Sequence, residues 1–144
     1  MDLTSHRTPQ GRLSLQTIAM PADTNWNGDI FGGWLLSQMD LAGSVCARQR
    51  SLGRVATVAI DSMAFLTPVR VGDVISCYSY VVRSGRSSML IAIEVWETSD
   101  RQQPERILTE GRFTYVAIDE QGHPRALPTD IPLTGEAVIS GKSG

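Results

Sequence analysis

Two cysteines and two histidines among 144 residues leave little material for metal or redox chemistry. Cys46 (SVCAR) and Cys77 (ISCYS) each lie in an apolar stretch and form no C-x-x-C pair, so they read as buried free thiols. His6 and His123 stand alone near the two ends, whereas a metal centre needs its ligands clustered. Charge bias is missing as well: 13 Lys and Arg face 15 Asp and Glu, with no block of one sign. A nucleic-acid surface or a polybasic membrane anchor needs concentrated cations, and neither is expected. No apolar run approaches the ~18 residues of a membrane-spanning helix, and no basic-then-apolar leader opens the chain. These absences predict a reduced, cytoplasmic protein without metal, membrane insertion or nucleic-acid partner.

What is present suffices for one core. The length corresponds to a single domain, and a domain of this size buries roughly 68–70% of its unfolded surface without needing a staple. Residues 1–11 are polar, with Pro9 and Gly11, and read as a loose arm. Arg12–Met20 alternates in hydrophobicity and predicts a strand ended by Pro21. PADTNWNGDIFGG then packs Asp, Asn and Gly too densely for a helix or strand interior, and reads as a long structured loop of the kind that carries function. From Gly33 to about Arg50, Leu35, Met39, Ala42 and Cys46 recur at helical spacing, with Leu36, Gly43 and Ala47 beside them. Small residues at 42, 43, 44 and 47 allow a close approach to another surface, and Gly53 lies where a helix stop is expected. Four segments rich in Val, Ile, Tyr and Thr follow: Val55–Phe65, Asp73–Arg83, Ser88–Thr98 and Arg106–Ile118, separated by turn chemistry. Consecutive strands with short links predict an antiparallel meander with the one helix covering a face. The expected class is α+β, a single domain over residues 1–128 with a flexible tail at 129–144.

One acid stands out. Asp40 is the sole acid between Asp29 and Asp61 and sits mid-helix among Met39, Leu41, Ala42 and Gly43. A carboxylate beside an apolar helix face is costly unless something uses it; the plain alternative is that it points to solvent. Gly32 and Gly33 open the helix, where unpaired backbone N–H groups meet the positive end of the helix dipole, or else they simply permit a tight turn. Asn25 and Asp29 suit a capping or Asx turn as readily as a site. Trp34 and Phe31 fit a core, an interface or the wall of a tunnel.

Three blocks make the pattern specific: MPADTNWNGDIFGGWLLSQMD, RVATVAIDSMAFLTPVRVGDVISCY and GRSSMLIAIEVW. Together they closely resemble the bacterial YciA-like acyl-CoA thioesterases, over roughly residues 12 to 128. The resemblance implies the hotdog fold, one long helix wrapped by a five-stranded antiparallel sheet. It implies hydrolysis of acyl-CoA to carboxylic acid and CoA, with Asp40 activating water or attacking directly. Backbone N–H groups near Gly32 and Gly33 would receive the developing oxyanion, and Asp29 would face the helix acid of a partner subunit. It implies a CoA site at Gly85, Arg86, Ser87 and Ser88, with Arg54 and Thr57 adding contacts. No separate cofactor is implied, since CoA belongs to the substrate. Assembly would be a dimer with a continuous ten-stranded sheet, three dimers making a hexamer. Hotdog dehydratases and hydratases need a histidine base that neither His6 nor His123 supplies. A non-catalytic acyl-CoA-binding or sensor module is the other reading, and it leaves Asp40 without a use.

Overall fold

The computed structural model describes residues 7–129. Strand β1 (Arg12–Ile18) leads through a single 3-10 turn at Pro21–Asp23 to helix α1 (Gly32–Ser51). Strands β2 (Val55–Phe65), β3 (Val74–Ser84), β4 (Ser88–Thr98) and β5 (Pro104–Ala117) follow. They form one five-stranded sheet in the order β1-β3-β4-β5-β2, antiparallel throughout. The α+β class and the single long helix are as the sequence predicts.

The meander is only partly realised. Strands β3, β4 and β5 do follow one another, but β2 leaves them and pairs with β5 at the far edge. The link at 66–73 therefore crosses three strand spacings, roughly 14 Å at ~4.8 Å each, and eight extended residues reach up to about 27 Å. Both ends of the link are tied down. Leu66 and Thr67 donate their N–H groups to the Leu108 carbonyl (2.8 and 3.1 Å), and Gly72 donates to Ala19 (2.7 Å). Gly72 has φ +94°, a left-handed backbone that explains the glycine of the VGD sequence.

Helix α1 buries Leu35, Met39, Ala42, Gly43, Cys46 and Ala47. They pack against Ile75 and Cys77 of β3, Met89, Ile91, Ile93 and Val95 of β4, and Phe113, Tyr115 and Ala117 of β5. Both cysteines are buried, and burial pushes the Cys77 thiol up to about 12, so it stays protonated and inert. The helix stops at Leu52, not Gly53: Leu52 adopts the left-handed conformation (φ 57°, ψ 40°) and donates to the Arg48 carbonyl at 2.7 Å. Gly53 is small for another reason, because a Cβ there would lie 2.5 Å from Arg125 Nη2. Arg125 donates to the carbonyls of Ser51 (2.9 Å), Ile118 (2.9 Å) and Arg54 (3.2 Å), locking the segment after β5 onto the helix end.

The opposite face of β4 is covered too. There Glu94 pairs directly across from Glu110, an arrangement that repels. Arg7 bridges both carboxylates at 3.2 and 3.0 Å, and Trp96 Nε1 donates to Glu94 at 2.9 Å. The described end of the arm, from Arg7 to Gln10, is thus held against the sheet; residues 1–6 and most of the 129–144 tail lie outside the described residues.

Candidate active site

Asp40 leaves α1 toward the inner faces of β2 and β5. Thr57 and Tyr115 pair directly opposite each other across those strands, so both side chains project at the helix at one level. Thr57 Oγ1 donates to Asp40 Oδ1 at 2.6 Å, and the Tyr115 hydroxyl lies 3.0 Å from the same oxygen and 3.0 Å from the Asp40 carbonyl. Both side-chain donors meet at Oδ1, and Oδ2 has no partner among the described residues. The acid is therefore half-buried and gripped from one side, neither adrift in solvent nor enclosed. Tyr115 is itself fully buried. Burial, and secondly the adjacent Asp40 charge, hold its phenol well above the usual tyrosine range, so it remains a protonated donor.

Gly43 admits the phenol. A Cβ at this position would lie 2.2 Å from the Tyr115 oxygen and 2.8 Å from Cζ. Of the small residues the sequence marks for close approach, this is the one that shapes the site. Thr57, expected among the CoA contacts, donates its hydroxyl to the acid. Tyr115 was not singled out by sequence reasoning: only the β2–β5 register puts it opposite Thr57, and that register is invisible in the sequence.

The loop before α1 is organised by Asn25. Its Oδ1 accepts the N–H groups of Asn27 (2.9 Å) and Asp29 (3.1 Å), and its own N–H donates to the Asp29 carbonyl (2.7 Å). Asn25 thus has the turn-forming role. Asp29 lines a pocket of about 350 Å³ together with Phe31, Gly32, Leu35, Phe65 and Val69. Trp34 packs against the core, while Phe31 is half exposed at that pocket.

Gly32 and Gly33 begin the helix, and Phe31 at the cap offers no side-chain acceptor. Neither glycine has the positive φ that would require it. A Cβ at Gly33 would meet nothing within 4 Å, and one at Gly32 only the Phe65 ring at 4.0 Å. The tight-turn explanation therefore fails. Glycine costs up to about 1 kcal/mol relative to alanine inside a helix, and here the chain's own packing gives no return for it. Asp40 lies eight residues further on, about 12 Å along the axis at ~1.5 Å per residue. Within one chain, then, the helix-start donors and the acid do not converge on one carbonyl, and Asp29 does not reach Asp40.

The remaining candidates gather at one end of the sheet. Gly85–Ser88 form a hairpin turn closed by Gly85 N–H to the Ser88 carbonyl (2.8 Å), and the Ser87 carbonyl accepts from Ala117 (2.9 Å). On the other side of β5, the Arg54 carbonyl accepts from Ile118 (3.0 Å). Arg54 and the turn thus flank the end of β5. The Arg54 guanidinium reaches the Glu120 carbonyl at 3.3 Å, and Arg86 makes no ion pair among the described residues. Gly85 and Ser88 border a hollow of about 250 Å³ with Arg83 and Thr114.

A sheet of this order wrapped on one helix, with an oriented acid at mid-helix, is the architecture of hotdog-fold acyl-transfer proteins. The family model described as the thioesterase superfamily matches residues 27–103, and the chain belongs to that superfamily. It is 53% identical over 130 residues to the acyl-CoA thioester hydrolase YciA of Escherichia coli, covering 88% of this chain and 98% of the relative. It superposes on a hexameric thioesterase from Yersinia pestis with a TM-score of 0.79, at 53% identity, covering 85% of this chain and 100% of that one. An acyl-CoA hydrolase from Staphylococcus aureus, solved with butyryl-CoA and CoA, gives a TM-score of 0.73 at 27% identity, covering 79% of this chain and 70% of that one.

If the glycines serve something outside the chain, Gly33→Ala should leave the melting temperature unchanged or raised while lowering kcat/KM. A fall in melting temperature with unaltered kinetics would return Gly33 to a purely structural role.

Proposed function

We propose that the chain hydrolyses acyl-CoA thioesters with Asp40 as general base. The observation that carries this is the free Oδ2 of a carboxylate whose other oxygen is held by two donors. A water bound at Oδ2 passes a proton to it as the water oxygen bonds to the thioester carbon. The carbonyl oxygen becomes negative and is met by N–H groups at a helix start such as Gly32 and Gly33. The C–S bond then breaks, and the CoA thiolate takes the proton back from Asp40, giving carboxylic acid and CoA thiol. The reaction requires no cofactor. Release of free thiol from acyl-CoA, persisting in a chelator, is the expected result, whereas binding without turnover would favour the acyl-CoA sensor reading. Asp40→Asn keeps the shape and removes the base, so kcat should fall about 10²–10⁴-fold, with acyl-CoA still bound and the melt intact. Full activity in this variant would end the mechanism.

We infer that the site is shared between subunits, because the donors and the acid of one chain stand apart. The exposed apolar residues Leu41 and Val45 on α1 and Val58 and Ile60 on β2, whose outer edge meets no other strand among the described residues, support a dimer through that edge. Trp26, 97% exposed at the tip of the loop before α1, is a further group that a neighbouring subunit would cover. With solved relatives described as hexameric, the reading is three dimers in a hexamer. Light scattering that shows a stable, active monomer at micromolar concentration would refute it. The buried Cys77 thiol, held protonated, supports a cytoplasmic setting, which cell fractionation checks.

Arg86, with Gly85, Ser87, Ser88 and Arg54, is proposed to hold the CoA phosphates. Arg86→Ala should raise KM severalfold or more at nearly constant kcat, since a charge-assisted contact is worth about 1.5–3 kcal/mol. An unaltered KM would leave the turn as a turn.

A further inference from the structure

We propose that Tyr115 is a positioning residue for the base, and that Gly43 exists to let its hydroxyl reach Asp40. The inference rests on the general-base reading of Asp40 and adds a part to it.

The argument starts from an imbalance on the carboxylate. Thr57 and Tyr115 both donate to Oδ1, at 2.6 and 3.0 Å, and no donor among the described residues reaches Oδ2. Two donors on one oxygen fix the rotation of the carboxylate and leave the other oxygen to the reacting water. A single hydroxyl donor would still let the carboxylate pivot about its bond to Oδ1. The two donors come from adjacent strands, so the pair triangulates the oxygen from β2 and β5 together.

The phenol is an expensive way to supply a purely structural contact. Tyr115 is fully buried, its ring stacks 6.4 Å from that of Phe113, and phenylalanine would fill the same apolar space without a polar group to satisfy. The phenol, with Ile93 beside it, leaves room only for glycine at position 43 in the helix interior: an ideal Cβ would lie 2.2 Å from the phenol oxygen and 2.8 Å from both Cζ and Ile93 Cδ1. Two departures from the cheapest packing, a buried hydroxyl and a mid-helix glycine, meet at one atom of the acid. Around this carboxylate the facing groups are the Thr57 hydroxyl from β2 and the Tyr115 phenol from β5, with Ser44 beside the phenol on α1. No ion pair among the described residues involves Asp40.

The test is Tyr115→Phe, assayed for hydrolysis across pH beside a thermal melt. Loss of the donor is expected to lower kcat about tenfold, equivalent to about 1.4 kcal/mol, with KM for acyl-CoA unchanged. A donor to a carboxylate favours its charged form, so removing it moves the low-pH limb of the kcat profile to higher pH. A folded variant with wild-type kcat and an unmoved limb overturns the inference. Replacing the three tyrosines by fluorotyrosine preserves shape and makes the phenol a stronger donor. The limb should then move to lower pH, and an unmoved limb overturns the inference even if Tyr115→Phe does not fold. In an Asp40→Asn background, Tyr115→Phe should add no further loss; an added loss means that the phenol acts elsewhere. If Asp40→Asn itself were fully active, the general-base reading would fail. If Asp40→Asn is inactive while Tyr115→Phe matches wild type, only the positioning role fails.

Discussion

The closeness of α1 to the sheet is the constraint on which the rest depends. A helix laid on a sheet is ordinarily held off by its own side chains, and here, past Leu35 and Met39, the inward surface narrows to Ala42, Gly43, Cys46 and Ala47. That lets a tyrosine from β5 stand upright between helix and sheet and touch both the side chain and the backbone of Asp40. Bulkier residues would preserve a hydrophobic interface but separate the acid from its two strands. The site is thus a consequence of packing, with the helix backbone as its rigid side and the β2–β5 pair as its other wall.

Much of this was legible in the sequence, for identifiable reasons. Long, strongly patterned segments declared themselves: Val55–Phe65 and Ser88–Thr98 are strands with the predicted ends, because turn chemistry brackets each of them. The helix ran as its apolar spacing required, and the isolation of Asp40 among apolar neighbours marked it as unusual. What was not legible depends on non-local pairing. The placement of β2 beside β5 instead of β3 follows from a link long enough to cross the sheet, and length alone permits both arrangements. From that placement come the two surprises, Thr57 turned toward the acid and Tyr115 joined to it. The helix stop is a smaller case, since a left-handed cap at Leu52 is something propensity argues against, and Gly53 answered to Arg125 instead.

The glycines separate the interior of the chain from what lies beyond it. Gly43, Gly53 and Gly72 are each accounted for within the chain, two by a neighbouring side chain that needs the space and one by a left-handed backbone. Gly32 and Gly33 have helical backbone and open surroundings at the helix start, where the Trp34 and Leu35 N–H groups donate to the Phe31 carbonyl. Glycine in that setting is a cost to the isolated chain, and the proposed meeting of these positions with a substrate carbonyl would give it a return. The acid is also held from one side: Oδ1 accepts two donors inside the fold, while Oδ2 has no partner among the described residues. The chain thus leaves its N–H donors at one end of the helix and its free carboxylate oxygen about 12 Å away at ~1.5 Å per residue. Hydrolysis of a thioester needs a donor at the carbonyl oxygen and a base at the water that attacks the carbonyl carbon. Two copies of this helix, brought together across the β2 edge in opposite directions, would supply each carbonyl with the donors of one chain and the base of the other. In that arrangement oligomerisation is a condition of the chemistry, and the exposed apolar face of α1 and β2 is what drives it.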